Sequence, residues 1–388
     1  MMSPSFKSGP NSSIAIIEIY SHHVFVHTLA ASLLKSGYNV TIYVTERIAR
    51  DLLPLFAENR IGPKFKVAKK NESEFLFLRR IRREIELEND LLFINSIQGY
   101  RVGYFYLNNF NIPKIAGAGR ISEFFGSEYR LRGFDSIRQF LHHNYTKFFL
   151  SKIIKRLDAI IVHTEQAKKF ALDNQFTKPI HCMPFSLYLG QPPKPADTVS
   201  LEMLVTGQIV KGHRDYFGLL SIFESIWMKG FINIKLTVLT SPVTEYGYAV
   251  AREMERLEKK GFPITYFNDW IPELEFLKTT AKAQFIIAPI LPKGYGQGEL
   301  TSVHVESVRM GIPAIYPSWY RPDPTVESGS IYYDSFHMLE NQIIDLYHNP
   351  EQVREISNKA AKNVHAYCLE RVAIELSDFL KGSIHTDV

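Results

Sequence analysis

Short unbroken apolar runs alternate with helical stretches along this chain, and the alternation runs its course twice. Residues 14–19 read IAIIEI, a helical pattern follows through Leu29, Leu33 and Leu34 to Gly37, and NVTIYVT resumes an extended run. Strands buried on both faces of a parallel sheet read as near-continuous Ile/Val segments, and a glycine just past a helical pattern marks its end. DLLFIN at 90–95, IPKIAG at 112–117 and DAIIVH at 158–163 continue the series and complete a first doubly wound sheet. The stretch LYLGQPPKPADTVS at 187–200 holds prolines and glycines with no apolar period, so it joins neither a central strand nor a helix and reads as a linker. The alternation then restarts with LEMLVTG at 201, IKLTVLT at 234, PITYF at 263, AQFIIAP at 283 and IPAIYP at 312, with helical stretches at 214–228, 246–260 and 272–282. From Pro350 the chain reads as helix with no following strand. The fold class is therefore α/β, with two Rossmann-like doubly wound domains, residues 1–190 and 191–365. Ligands of such sheets bind outside the carboxyl ends of the strands.

The length of 388 residues suits two cores rather than one. Cys182 and Cys368 stand far apart without a CxxC spacing and read as structural thiols of a reduced compartment. The N-terminus, MMSPSFKSGPNSS, has no apolar signal core, and no run approaches the ~18 apolar residues of a membrane span. A cytoplasmic protein is expected. The net charge of +5 conceals an asymmetry: residues 1–180 hold 26 Lys and Arg against 16 Asp and Glu, whereas the remainder holds 19 against 24. A basic first half points to an anionic partner there. No RNP, zinc-finger or basic-zipper pattern is present, so nucleic acid is not expected. The segment LRRIRREI at 78–85 and the basic, aromatic-rich segment 129–156 suit an anionic membrane surface, with a solvated basic face as the alternative.

Three stretches in order, VTGQIVKGHRDY, NDWIPELEFLKTTAKAQFIIAPI and ESVRMGIPAIYP, resemble the large retaining family of GT-B glycosyltransferases that includes sucrose and mannosyl transferases, family four in the usual classification. The resemblance covers nearly the whole chain in element order and is specific from residue 201 to 317. It implies two domains facing a cleft (GT-B), with the C-terminal helices, residues 366–388, crossing back to the first domain near Tyr367. It also implies a nucleotide-diphosphate sugar donor, of UDP or GDP type, bound by the second half, and a glycan, lipid-linked or small-molecule acceptor bound by the first.

A diphosphate needs cations and unpaired backbone N–H groups at a helix N-terminus. Lys211, beside Gly207 and Gly212, is the diphosphate lysine of the family pattern. The arginine that usually follows the glycine is here Gln208, and Arg214 is the candidate replacement. In GYGQGELTSVHVESVRMGIP, Thr301 and Ser302 suit a helix N-cap and Gly311 a helix end, so the amides of Leu300, Thr301 and Ser302 are expected to point at phosphate. Glu306 matches the family carboxylate that holds both ribose hydroxyls. The family's other glutamate falls on Gly298, with Glu299 one residue out of register. The backbone of Trp270 and Ile271 is the expected base contact, and Trp270 itself reads either as a stacking platform or as a core tryptophan.

The loop AGAGRISEFF lacks the histidine that family members carry, leaving Arg120 and Glu123 as its polar groups. Arg120, His23 (with His22 beside it) and Glu299 are the catalytic and acceptor candidates, and Asn95, Ser96 and Gln98 are further groups suited to sugar hydroxyls. The resemblance implies retention of configuration, with protein cations stabilising the leaving diphosphate. No DxD motif and no metal-ligand spacing occur, so neither a metal nor another cofactor is expected. A nucleotide-sugar epimerase and a non-catalytic GT-B partner subunit are the competing readings.

Overall fold

A computed structural model describes residues 11–20, 22–57, 62–97, 110–119, 125, 148, 152–190, 200–295, 298–321 and 323–383. These carry two separate sheets. The first has seven strands in the order β3-β2-β1-β4-β5-β6-β7. They are β1 (Ser13–Glu18), β2 (Asn39–Val44), β3 (Lys64–Val67), β4 (Leu91–Ile94), β5 (Lys114–Gly117), β6 (Ala159–Val162) and β7 (Ile180–Cys182). Every pairing is parallel, with Ile16 registered between Ile42 and Phe93. Ile14, Ile16, Leu92 and Ile160 are fully buried, because helices cover both faces, and this explains the unbroken apolar runs.

The second sheet contains β8 (Leu201–Thr206), β9 (Ile234–Leu239), β10 (Ile264–Tyr266), β11 (Phe285–Ile287), β12 (Ala314–Pro317) and β13 (Ile331–Tyr333). Its order is β10-β9-β8-β11-β12-β13, again all parallel. The order reverses between β1 and β4 in the first sheet and between β8 and β11 in the second, so each sheet has a topological switch point, the place where sheets of this kind bind ligands beyond the strand ends. Helices Tyr216–Met228, Glu245–Lys259 and Glu273–Thr280 occupy the intervals that the apolar periodicity predicts. Asp215 and Thr244 cap two of them, accepting from Gly218 N at 2.8 Å and Gly247 N at 3.0 Å.

The chain divides into two compact units: residues 1–186, 297–299 and 369–388 form one, and 187–296 with 300–368 the other. In the first, helix Leu369–Ser383 packs on helix His23–Lys35. Val372, Ala373, Leu376 and Leu380 are buried in that contact, Lys35 pairs with Glu370 at 3.2 Å, and the Ser36 hydroxyl donates to Ala373 O at 2.9 Å. The Phe379 ring also stacks on His181 of β7, with centroids 4.7 Å apart.

Helix Glu74–Glu88 carries the LRRIRREI segment. Its Leu78, Ile81 and Ile85 are buried in the core, and Arg80 makes two hydrogen bonds of 2.8 Å to the Glu72 carboxylate. The isoleucines therefore serve the fold rather than a lipid surface, although Phe75, Leu76 and Leu87 are exposed beside the arginines. Most of the basic segment 129–156 lies outside the described residues. Among the described residues, no helix is long and apolar enough to cross a membrane.

Candidate donor site

The switch point of the second sheet collects several of the residues singled out above. β8 ends at Thr206, and Gly207 follows with φ 98°. Only glycine adopts that conformation without strain, and a Cβ here would overlap the Ser302 hydroxyl and the Arg214 guanidinium. Tyr216 holds the turn from behind. Its hydroxyl donates to Gly207 O at 2.7 Å, and complete burial raises its pKa well above the ordinary tyrosine value. Backbone bonds from Asp215 N to Pro289 O (2.8 Å) and from Leu291 N to His213 O (2.9 Å) tie the turn to the segment after β11.

Arg214 is the central side chain. It is 5% exposed, donates through Nη1 to Gln208 O at 3.0 Å and through Nη2 to Ser302 Oγ at 3.2 Å, and lies with Cζ 5.5 Å from the Tyr295 ring centre. Its Nε has no hydrogen-bond partner, and among the described residues no carboxylate pairs with it. A buried cation costs several kcal/mol unless it is paired, so this position is electrostatically suited to an anion.

Helix Ser302–Met310 starts beside this arginine. Thr301 is its N-cap, with Oγ1 accepting from His304 N at 3.1 Å. The Thr206 hydroxyl donates to Ser302 Oγ at 3.4 Å. One expectation needs correction: the Thr301 amide donates to the Tyr320 hydroxyl at 3.1 Å, so Thr301 contributes a cap rather than a phosphate-binding N–H. Ser302 contributes a hydroxyl that orients Arg214, and Leu300 is half-buried just ahead.

One turn in, Glu306 is 5% exposed, which removes the alternative of a solvated surface glutamate. Its Oε2 lies 3.7 Å from Arg309 Nη1, and that guanidinium nitrogen lies 2.6 Å from Glu273 Oε1. Lys211 stands exposed on the turn that leads to Arg214, beside Gly212 at φ 79°, and has no ion pair among the described residues. Trp270 is 56% exposed and so is not a core tryptophan, whereas Ile271 is buried in an apolar cluster with Leu239 and Ile286.

Gly298 and Glu299 do not join this group. Both cluster with the first unit. Gly298, at φ 76°, accepts from the Thr164 hydroxyl at 3.1 Å, and a Cβ on it would come within 2.6 Å of Ala167 N. Its glycine identity is explained by close packing on the start of helix Glu165–Asp173 rather than by a ligand. Glu299 is buried there too.

At the switch point of the first sheet, Asn95 and Ser96 also depart from expectation. Both side chains donate to the carboxylate of Glu18, which is 1% exposed; the Ser96 bond is 2.7 Å, and Tyr20 N donates to the other carboxylate oxygen at 2.7 Å. Their donors thus satisfy a buried charge at the ends of β1 and β4. His22 caps helix His23–Lys35 in the left-handed region, φ 68°, a strained conformation for a histidine, and His23 is the first helical residue. Arg120, Glu123 and Gln98 lie outside the described residues. Sequence reasoning missed His163, which directly follows β6 and packs edge-on between Phe25 (4.5 Å) and Phe185 (4.9 Å). The available signal was a histidine closing the buried run DAIIVH. It also missed Arg309, an arginine on a helix that is buried from Val303 to Met310.

No family model matches the chain, and no curated protein sequence matches it. Solved structures do match. Sucrose-phosphate synthase from Thermosynechococcus elongatus superposes with a TM-score of 0.67 at 14% identity, over 96% of this chain and 98% of that one. HepE from Anabaena in complex with UDP-glucose superposes with a TM-score of 0.64 at 10% identity, over 95% and 99%. A putative UDP-N-acetylglucosamine 2-epimerase from Listeria monocytogenes gives 0.61 at 14%, over 97% and 98%. At such identities the likeness is one of fold. The chain has the GT-B architecture of these neighbours, built on two Rossmann-like parallel sheets.

Proposed function

We propose that this chain is a glycosyltransferase that binds a nucleotide-diphosphate sugar on its second unit and passes the sugar to an acceptor bound by its first. The observation that carries the reading is Arg214: a buried guanidinium at a sheet switch point, oriented by Ser302 at a helix N-terminus and lacking a carboxylate among the described residues. A diphosphate supplies the missing negative charge, and a helix N-terminus favours it further. Lys211, on the adjoining turn, adds a second cation. Glu306 accepts from the ribose hydroxyls, and the exposed ring of Trp270 suits a nucleobase, with the Ile271 backbone beside it. The neighbour HepE holds UDP-glucose, which favours a UDP-type donor, with GDP as the other purview of this site.

In this reading the bond from the anomeric carbon to the leaving phosphate oxygen breaks first, and charge gathers on the diphosphate, where Arg214 and the helix amides stabilise it. The acceptor hydroxyl then attacks from the same face and gives its proton to a diphosphate oxygen, so configuration is retained without a metal. His23, Arg120 and Glu299 are the groups of the first unit that we assign to the acceptor and the reacting sugar. The acceptor is a glycan, a lipid-linked sugar or a small molecule. The exposed Phe75, Leu76 and Leu87 beside arginines favour work at an anionic membrane surface on the cytoplasmic side.

The experiment is a thermal-shift panel of UDP, GDP and their sugars. A ligand at 100 times its Kd stabilises the native form by about 2.7 kcal/mol, a shift of several degrees. The reading fails if no nucleotide raises the midpoint. The Listeria neighbour favours one competitor, an epimerase. That reading requires an altered nucleotide sugar to form with no acceptor present, whereas a transferase requires an acceptor for turnover to a glycoside.

A further inference from the structure

The chain has three tryptophans. Trp227 is half-buried against the core of the second unit, whereas Trp270 and Trp319 are 56% and 43% exposed. Both exposed rings follow strands of the second sheet at their carboxyl ends, Trp270 after β10 and Trp319 after β12. The strand order β10-β9-β8-β11-β12-β13 puts them on opposite sides of the switch point that carries Arg214 and Ser302. Trp270 is assigned to the nucleobase, and Trp319 has no role in that reading.

Trp319 stands at the tip of a tight turn. Tyr320 N donates to Pro317 O at 3.0 Å and closes the turn, and Ser318 N donates to Tyr333 O at 2.8 Å and ties it to β13. The indole leans edge-on against the Tyr320 ring, with centroids 5.8 Å apart at 77°. Tyr320 is itself 5% exposed, and its hydroxyl accepts from the amide of Thr301, the cap of helix Ser302–Met310, at 3.1 Å. Its ring centre lies 5.3 Å from that of Tyr316 and 6.4 Å from that of Tyr295, and Tyr295 lies 5.5 Å from the Arg214 guanidinium. A continuous layer of rings thus runs from Arg214 to Trp319. The indole face is oriented before any ligand arrives, so a ligand that stacks on it pays little ordering cost.

We infer that Trp319 is a carbohydrate platform on the second unit, its exposed indole face stacking on the C–H face of a pyranose ring; its place in the site rests on the donor reading given above. A pyranose carries its hydroxyls at the rim and an apolar face of weakly positive C–H bonds, which complements the negative face of an indole. A nucleotide sugar is a base, a diphosphate and a sugar in that order. With the base at Trp270 and the diphosphate at Arg214, the sugar falls on the β12 side of the switch point, where Trp319 stands. The neighbouring Arg321 pairs with Glu327 at 2.8 Å and lies 3.6 Å over the Tyr332 ring, so the turn presents an aromatic face suited to a neutral ring. A glycan offers the same C–H face as the donor's sugar, and the test separates the two sources.

The test is calorimetric titration of UDP, UDP-glucose, UDP-N-acetylglucosamine, GDP, GDP-mannose and the free glycan maltotriose into the full chain and its Trp319→Ala and Trp319→Phe variants. The wild type is expected to bind a nucleotide sugar more tightly than the bare nucleotide. Trp319→Ala is expected to weaken that nucleotide sugar by roughly three- to tenfold while leaving the bare nucleotide unchanged. Trp319→Phe keeps an aromatic face and should retain most of the affinity, yet it should abolish the change in tryptophan fluorescence that the sugar causes. Weakening of maltotriose alone by Trp319→Ala supports the platform and assigns it to a glycan. A folded Trp319→Ala that matches the wild type on every sugar ligand overturns the inference, and the donor reading survives if nucleotides still bind. A wild type that binds no nucleotide overturns the donor reading, and maltotriose alone then decides the platform.

Discussion

Arg214 donates to the hydroxyl of Ser302 across the switch point of the second sheet, at 3.2 Å, and so joins the turn after β8 to the first turn of helix Ser302–Met310. The loop that would carry a phosphate-binding cation and the helix that would supply amides are thereby one rigid piece. Preorganisation of this kind lowers the ordering cost of binding an anion.

Gly207→Ala tests that piece. At φ 98° an alanine is strained, and its methyl would displace both the arginine and the serine hydroxyl. We expect nucleotide affinity to fall by roughly tenfold and stability by about 1–3 kcal/mol, read from calorimetry and urea unfolding.

Gly298→Ala tests a different role. Its methyl would meet the backbone at Ala167, 2.6 Å from the amide nitrogen, in the first unit. Chemical denaturation should show a loss of about 1–3 kcal/mol. The packing explanation is wrong if stability holds and only nucleotide affinity drops.

Acid should destabilise the fold through two histidines. Burial lowers the pKa of His181, stacked on Phe379, and of His304, in the first turn of helix Ser302–Met310, from 6.5 to about 4 in each case. A depressed histidine pKa means the unfolded chain binds more protons, so the stability is fully present above pH ~6.5 and is lost as pH falls towards 4. The loss at pH 5 should be about 2 kcal/mol per histidine, measured by urea midpoints across the range. His181→Phe keeps a ring against Phe379 without a titrating group and should flatten the profile.

Leu376→Ala tests the returning C-terminal helix. The side chain is fully buried against helix His23–Lys35, and its truncation should cost about 2–5 kcal/mol of stability. An unchanged melting midpoint would show that the helix is not part of the first unit's core.

The central strands were legible because each is buried on both faces and so reads as a nearly continuous apolar run, as in the IAII of IAIIEI and the FIIA of AQFIIAP. The strands that escaped are β3 (KFKV), β7 (IHC) and β13 (IYY), and all three are sheet edges, where one flank is unpaired and the apolar signal is short or diluted. Around the candidate site, the sequence was legible where local geometry fixes the residue type: Gly207 at a turn with positive φ, Thr301 as a helix cap, Gly311 as a helix end. Tertiary pairings were not. Nothing in the spacing of Glu18, Asn95 and Ser96 announces that the two polar side chains satisfy a buried carboxylate, nor does Glu273 announce Arg309 across 36 residues of chain. Gly298 shows the converse, since a glycine read as part of a phosphate loop is required instead by backbone packing.

The account stands on an anion completing the buried arginine. Calorimetric titration of UDP and GDP into the wild type, Arg214→Gln and Lys211→Ala addresses it most directly. We predict that the wild type binds at least one of them, that Arg214→Gln weakens binding by roughly tenfold or more, about 1.4 kcal/mol, and that exposed Lys211→Ala weakens it less. Equal affinity in Arg214→Gln and the wild type, or no binding by either, would contradict the account.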